Sequence, residues 1–249
     1  MDPKKLCLLK KENFGPSSDL FTLAKSDQSP FEFVGGQYVI LNVGMDMVEN
    51  KPIKRAYSIL SSDMHTDSFQ ICVKRLANGK ASQILKDLEE GSEIDYSGPW
   101  GRFAGNPEWP SEGTTLLFAT DTGITALLGL LQSKKFAARK DTIAFWLKTE
   151  SEDFIPELKI HSFLDQSFLI EGVTIPSIGS SERVDISLSV LNKILNNHKT
   201  ISNAFLSGDG EIIRAIQAEL IRSSTPETRI GTEAFFNTGR VSSPGTMKV

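Results

Sequence analysis

Lys54-Arg55-Ala56-Tyr57-Ser58-Ile59-Leu60 is a strand-like run in which a fixed cation, a flat aromatic face and a small hydroxyl fall within a few consecutive residues. Side chains alternate along an extended strand, so Arg55 and Tyr57 point to the same side. A guanidinium beside an aromatic plane suits a ligand that carries both a phosphate and a flat ring system. The same residues also fit an ordinary strand with one snorkelling arginine and one amphipathic tyrosine. The surroundings of the run decide between the two.

Short β-prone runs at 20–24, 37–43, 55–61, 68–75 and 93–96 are separated by turn residues. Ser68-Phe69-Gln70-Ile71-Cys72-Val73 alternates polar and apolar, as a half-buried antiparallel strand does. One helix interrupts the series over 82–90, with Ile84, Leu85 and Leu88 on one stripe and Gly91 at the place of a C-terminal stop. Many short strands with a single helix predict an antiparallel β-barrel. Ala104-Gly105-Asn106-Pro107-Glu108-Trp109-Pro110-Ser111-Glu112-Gly113 is a polar, Pro/Gly-rich connection. Beyond it strands and helices alternate. Strand 114–120 precedes a helix carrying Ile124, Leu127, Leu128 and Leu131; strand 142–148, helix 187–195, strand 204–206 and helix 211–221 follow. That alternation predicts parallel βαβ units with a site at the carboxyl ends of the strands. The expected organisation is a barrel domain over 1–106, a linker over 107–113 and an α/β domain over 114–249.

Three further motifs sit where strands give way to helices. Asn78-Gly79-Lys80-Ala81-Ser82 precedes the helix of the first domain, where glycine permits close approach and free N–H groups attract a phosphate. It also fits a hairpin turn with a routine serine cap. Ala119-Thr120-Asp121-Thr122-Gly123-Ile124-Thr125 makes a tight turn whose amides can face a pyrophosphate, without the G-x-G-x-x-G spacing; a well-capped helix start reads the same way. Phe205-Leu206-Ser207-Gly208-Asp209-Gly210 again ends a strand, with Asp209 also placed to cap the next helix. Gly98-Pro99-Trp100-Gly101-Arg102-Phe103 reads as a Pro/Gly turn with aromatic packing that closes the barrel.

Composition excludes several classes. A net charge of −4 argues against non-specific nucleic-acid binding, and no apolar run approaches the length of a membrane span. The N-terminal apolar stretch is too short for a signal peptide. Cys7 and Cys72 cannot by themselves form a disulfide framework or ligate an iron–sulfur cluster, and His65, His161 and His198 lack metal-ligand spacing. The chain reads as cytoplasmic and metal-free.

In this order the motifs resemble the ferredoxin–NADP(+) reductase, or flavodoxin reductase, family. The resemblance runs from Gly36-Gln37-Tyr38 through Arg55-Ala56-Tyr57-Ser58, Gly79–Ser82 and Gly98–Phe103 to Glu233-Ala234-Phe235-Phe236. It implies an FAD-binding antiparallel barrel followed by a NAD(P)-binding α/β domain. It further implies that Arg55 holds the FAD pyrophosphate, with Gly79, Lys80, Ala81 and Ser82 beside it. Tyr57 stacks on the isoalloxazine, Ser58 hydrogen-bonds near its N5, and Cys72, Val73 and Lys74 line the ring. Hydride then passes from the nicotinamide to the flavin, and single electrons leave to a ferredoxin or flavodoxin. Thr120, Thr122, Gly123, Gly208 and Asp209 are the expected nicotinamide-nucleotide residues, and Ser207 joins Tyr57 and Ser58 as a catalytic candidate. Two departures are visible: the family's Gly-Thr-Gly-Ile-Ala-Pro turn appears as Asp121-Thr122-Gly123-Ile124-Thr125-Ala126, and its Cys-Gly pair as Ser207-Gly208. Arg183, with Lys148 second, is the expected partner of a 2′-phosphate, which favours NADP(H) slightly over NAD(H). Phe235 either covers part of FAD or packs in a last strand. The implied function is an FAD-dependent reductase. The alternatives are an oxygenase reductase component and a flavin-binding module without nicotinamide turnover.

Overall fold

The computed structural model describes residues 4–106, 108–139, 141–149, 154–164, 168–198 and 200–235. The first strands are β1 (Lys4–Gly15), β2 (Ser18–Lys25), β3 (Tyr38–Asp46), β4 (Lys51–Ser58), β5 (Phe69–Lys74) and β6 (Glu93–Trp100). They form one six-stranded antiparallel sheet in the order β4-β3-β6-β1-β2-β5. Its two edges meet through a bridge between Ile59 and Ile71 and the Leu60 N–H donating to the Gln70 carbonyl at 2.9 Å, which closes the sheet into the expected barrel. Leu6, Leu8, Phe21, Phe31, Leu41 and Phe69 fill it, and Leu85 plugs one end from α1 (Lys80–Asp87). That helix begins and ends earlier than its apolar stripe implied. Gly91 (φ +89°) instead serves the turn into β6.

β1 is the strand that the sequence concealed. Its Leu6 and Leu8 are fully buried, but lysines surround them and much of the strand is exposed, so its alternation is short and broken by a bulge after Leu8.

The second half contains β7 (Thr115–Thr120), a 3₁₀ turn (Asp121–Gly123), α2 (Ile124–Leu131), β8 (Thr142–Thr149), α3 (Glu157–Ile160), β9 (Ile170–Ile175), α4 (Arg183–Asn197), β10 (Asn203–Asp209), α5 (Gly210–Arg222) and β11 (Ile230–Phe235). The parallel sheet runs β11-β10-β7-β8-β9. The strand order reverses between β7 and β10, and a crevice at the carboxyl ends of those two strands is where open α/β sheets hold ligands. β7 is buried on both faces: Leu116 and Phe118 pack towards α4 and α5, while Leu117 and Ala119 pack with α2. β9, not expected from sequence, and β11, the last strand offered as one reading of Phe235, are the two edge strands.

The barrel and the parallel sheet share one apolar cluster, to which Phe14, Leu20, Leu60, Cys72 and Phe103 contribute from the first half. Backbone meets backbone at this seam. A methyl group on Gly35 would lie 2.1 Å from the Gly129 carbonyl oxygen, and one on Gly129 would lie 2.1 Å from that of Ile59. Asp63 fastens the same place, accepting from the Gly35 N–H at 3.1 Å, the Ser133 hydroxyl at 2.6 Å and the Lys134 N–H at 3.1 Å. The Pro/Gly-rich connection is held too. Trp109 packs on Phe205 with ring centroids 5.5 Å apart, and the Pro110 carbonyl accepts from Arg139 at 2.7 Å and Asn203 at 3.0 Å.

Candidate active site

β4 presents its site residues in pairs. Arg55 and Tyr57 lie opposite Leu41 and Val39 of β3, so both side chains share one face of the strand. Arg55 is exposed, its Nη1 donates to the Lys54 carbonyl at 2.7 Å, and it has no carboxylate partner among the described residues. Tyr57 is half-buried against the barrel core, and burial pushes its phenol up to about 12. Ala56 is exposed on the opposite side from Tyr57. α1 starts at Gly79 without a side-chain cap, so its first-turn amides, those of Lys80, Ala81 and Ser82, keep their affinity for an anion. Lys80 forms an exposed ion pair with Asp46. The Ser82 hydroxyl turns inward: it accepts from the Leu76 N–H at 3.1 Å and donates to the Gly79 carbonyl at 2.9 Å. Ser82 therefore offers a phosphate its amide and not its side chain. At the end of β5, Cys72 faces the shared cluster and Val73 the barrel core, with Lys74 half-buried beyond them. Burial lifts the Cys72 thiol to about 12, which keeps it protonated and unreactive.

Ser58 points the other way from Tyr57, into the seam. It is 5% exposed, and its hydroxyl donates to Glu233 Oε1 at 2.8 Å. Parallel pairing of β10 with β11 sets Glu233 beside Ser207. Burial raises the Glu233 carboxyl to about 7, with the Ser58 hydroxyl opposing that shift. A carboxyl titrating near neutrality can give or take a proton under ordinary conditions. The sequence named Glu233 only as part of its closing motif and gave it no role. Its signal is the register of β11, which no local pattern reveals. Ser207 Oγ and Glu233 Oε2 are buried without a hydrogen-bond partner among the described residues. Two such atoms facing one junction fit a bound ring that carries both N–H and carbonyl groups, as an isoalloxazine does. Phe235 ends β11 opposite Asp209, in the last-strand position, and Phe236 lies outside the described residues.

The turn after β7 is packed tightly on the end of β10. A methyl on Gly123 would lie 2.3 Å from the Ser207 carbonyl oxygen, and one on Gly208 (φ +128°) would lie 2.2 Å from Thr120 Oγ1. Thr120 Oγ1 accepts from the Asp209 N–H at 2.7 Å, and the Thr122 carbonyl accepts from the Thr125 hydroxyl at 2.9 Å. Asp209 caps α5, accepting from the Glu211 N–H at 3.0 Å. Arg183, expected at a 2′-phosphate, is instead internal: only 3% exposed, it pairs with Asp121 and, at 3.4 Å, with Asp209. It opens α4 from the buried side, and that position turns its guanidinium towards the sheet. Lys148, the second candidate, pairs with Glu157 and lies 5.4 Å from the Trp146 ring centroid. Among the described residues no group of His, Cys, Asp or Glu is placed to hold a metal, and no helix is long and apolar enough to cross a membrane.

Residues 5–104 match the family of oxidoreductase FAD-binding domains. That match spans the barrel and ends before the second domain. Curated relatives match part of the chain. Ferredoxin–NADP reductase B of Sorangium cellulosum is 35% identical over 109 residues, which are 44% of this chain and 43% of that protein. The glycine betaine monooxygenase reductase subunit of Pseudomonas aeruginosa is 35% identical over 101 residues, covering 40% of this chain and 26% of that protein. The chain thus spans less than half the length of these relatives. Solved structures match across both domains. A ferredoxin–NADP+ reductase from Plasmodium falciparum superposes with a TM-score of 0.70 at 19% identity, covering 94% of this chain and 97% of that one. An Amycolatopsis cytochrome P450 reductase gives 0.72 at 18% identity, covering 93% of this chain and 69% of that one. At such identities the likeness is one of fold: an FAD-binding domain joined to a parallel-sheet domain, as in the flavoprotein reductases.

Proposed function

We propose that this chain is a flavoprotein reductase that takes a hydride from NAD(P)H and passes electrons singly to a small carrier, a ferredoxin or a flavodoxin. The observation that carries the reading is the junction of Ser58, Ser207 and Glu233, where β4 of the FAD-binding domain meets β10 and β11 of the second. FAD, when bound, supplies the acceptance of a two-electron hydride and the release of single electrons. The residues of the chain position and tune it. Arg55 and the α1 amides hold the diphosphate, and Tyr57 gives the ring a flat partner. Ser58 would offer that ring a buried hydroxyl, held by Glu233. Glu233 keeps a proton on its carboxyl up to about pH 7 and exchanges it at Oε1 or Oε2. Ser207 contributes a buried hydroxyl where a thiol would be more polarisable. Arg183 and Lys148 are both engaged by carboxylates, so NADH and NADPH both stand as hydride donors.

The second reading, an oxygenase reductase component acting through a separate iron–sulfur protein, is favoured by relatives named as monooxygenase reductase subunits. Purified protein tests both. The expected result is a yellow protein whose flavin spectrum bleaches anaerobically with NADH or NADPH and recovers on addition of oxidised ferredoxin or flavodoxin. A flavin spectrum that neither coenzyme bleaches at saturating concentration refutes the reductase and leaves a flavin-binding module. Protein that takes up no FAD removes both.

A further inference from the structure

The carboxyl end of the second sheet assembles donors of the kind that grip an anion, and a side chain of the same domain already occupies them. Thr149, the last residue of β8, offers its N–H and its hydroxyl; Arg183, the first residue of α4, offers a buried guanidinium. They converge on the Asp121 carboxylate. Oδ1 accepts from the Thr149 N–H at 3.1 Å and from its hydroxyl at 2.7 Å, and Oδ2 receives Arg183 Nη2. The guanidinium also donates to Thr149 Oγ1 at 2.9 Å and to the Pro176 carbonyl.

Asp121 is the first residue after β7, at the point where the strand order reverses. Open α/β sheets bind ligands there, and a βα turn that meets a diphosphate does so with amides and a nearby cation. The residue has φ +46°, a conformation that glycine adopts freely and that other residues adopt at a cost. With Asp209 also on Arg183, two carboxylates share one guanidinium. An approaching diphosphate meets like charge and finds its best donors already saturated.

We infer that Asp121 is an internal competitor for the diphosphate of the dinucleotide, filling the anion site of the second domain from within and setting its affinity for NAD(P)H. The inference rests on the proposed reading that this domain takes NAD(P)H. A purely structural cross-link makes the opposite prediction: removing Asp121 would lower stability and bring no gain in affinity.

The test uses FAD-loaded full-length protein and ADP-ribose, which carries the diphosphate but cannot reduce a flavin, followed by the two coenzymes. Asp121→Gly removes the carboxylate and suits the backbone. Asp121→Asn removes only the charge and can still accept from Thr149, so it retains a folded comparison if the glycine variant is unstable. Binding is measured by calorimetry. Both variants are expected to bind ADP-ribose more tightly than the parent, by roughly tenfold or more, the scale of one charge-assisted hydrogen bond. Equal, measurable affinity in all three proteins overturns the competitor and leaves the dinucleotide reading intact. Absence of binding in all three, with FAD still held, overturns both.

Discussion

Replacing Glu233 with glutamine should stabilise the protein above neutrality and leave it nearly unchanged in mild acid. Burial raises this carboxyl from 4.5 to about 7 in the folded chain, whereas unfolding returns it to the ordinary value. Between those two pH values the folded protein holds a proton that the unfolded chain has released, so stability falls as pH rises through the window. Above it the folded state carries a buried carboxylate, which costs about 3 kcal/mol relative to the unfolded chain. Below it both states are protonated and the penalty vanishes. Glutamine is neutral throughout, has nearly the same size and accepts the same Ser58 hydroxyl. The difference between variant and parent should therefore be under about 1 kcal/mol near pH 5 and about 3 kcal/mol near pH 8. For a chain of this length that is roughly 6–12 °C in melting temperature at the higher pH. Thermal unfolding followed by circular dichroism across this pH range, at fixed ionic strength, measures the difference directly, because all other titrating groups cancel. A difference that does not change with pH would refute the assignment of a proton to Glu233 at neutrality.

Gly129→Ala should cost at least about 2 kcal/mol in urea unfolding, because the new methyl meets the Ile59 carbonyl and the Gly36 N–H, backbone on both sides; stability within about 0.5 kcal/mol of the parent would show that the seam can part. Arg55→Ala should leave stability within about 0.5 kcal/mol, since the side chain is exposed, while weakening FAD binding roughly tenfold or more. An unchanged FAD dissociation constant would remove Arg55 from the diphosphate. Tyr57→Ala should weaken FAD binding by a few kcal/mol at most, from lost stacking, with unchanged affinity counting against that pose. Arg183→Ala should destabilise by about 3–5 kcal/mol, because it takes the cation from the buried ion pair with Asp121. Intact stability with selective loss of NADPH use would instead place Arg183 at a 2′-phosphate.

The barrel was legible in the sequence because its strands alternate and its turns carry glycine. Strands β3 to β6 and helices α2, α4 and α5 all overlap the runs expected for them. The losses have separate physical causes. β1 hides its two core leucines among lysines, and β9 exposes half of its residues as an edge strand, so neither carries a clear apolar period. At the candidate site, short motifs located the turns, but not which side chains face outward. Ser82 and Arg183 have the chemistry to bind phosphate, yet each is turned inward by a partner outside its own helix. Glu233 acquires its character from burial beside Ser58, 175 residues distant in sequence. Such pairings are made by topology, and a local reading has no access to them.

The connection between the two domains has a consequence for how the chain can be divided. In sequence it resembles a tether of proline, glycine and polar residues. In the structure, Phe103 lies 5.9 Å from Phe205 by ring centroids, Trp109 packs on the same ring, and Pro110 ties Asn203 to Arg139. A cut there would uncover Leu60, Cys72 and Phe103 on one fragment and Leu117, Trp146 and Phe205 on the other. Each fragment would then carry a sticky apolar face built to be covered by its other half. The flavin domain and its neighbour are modules in their architecture, but in solvation they are one body, and exchanging either for a homologue means redesigning the face between them.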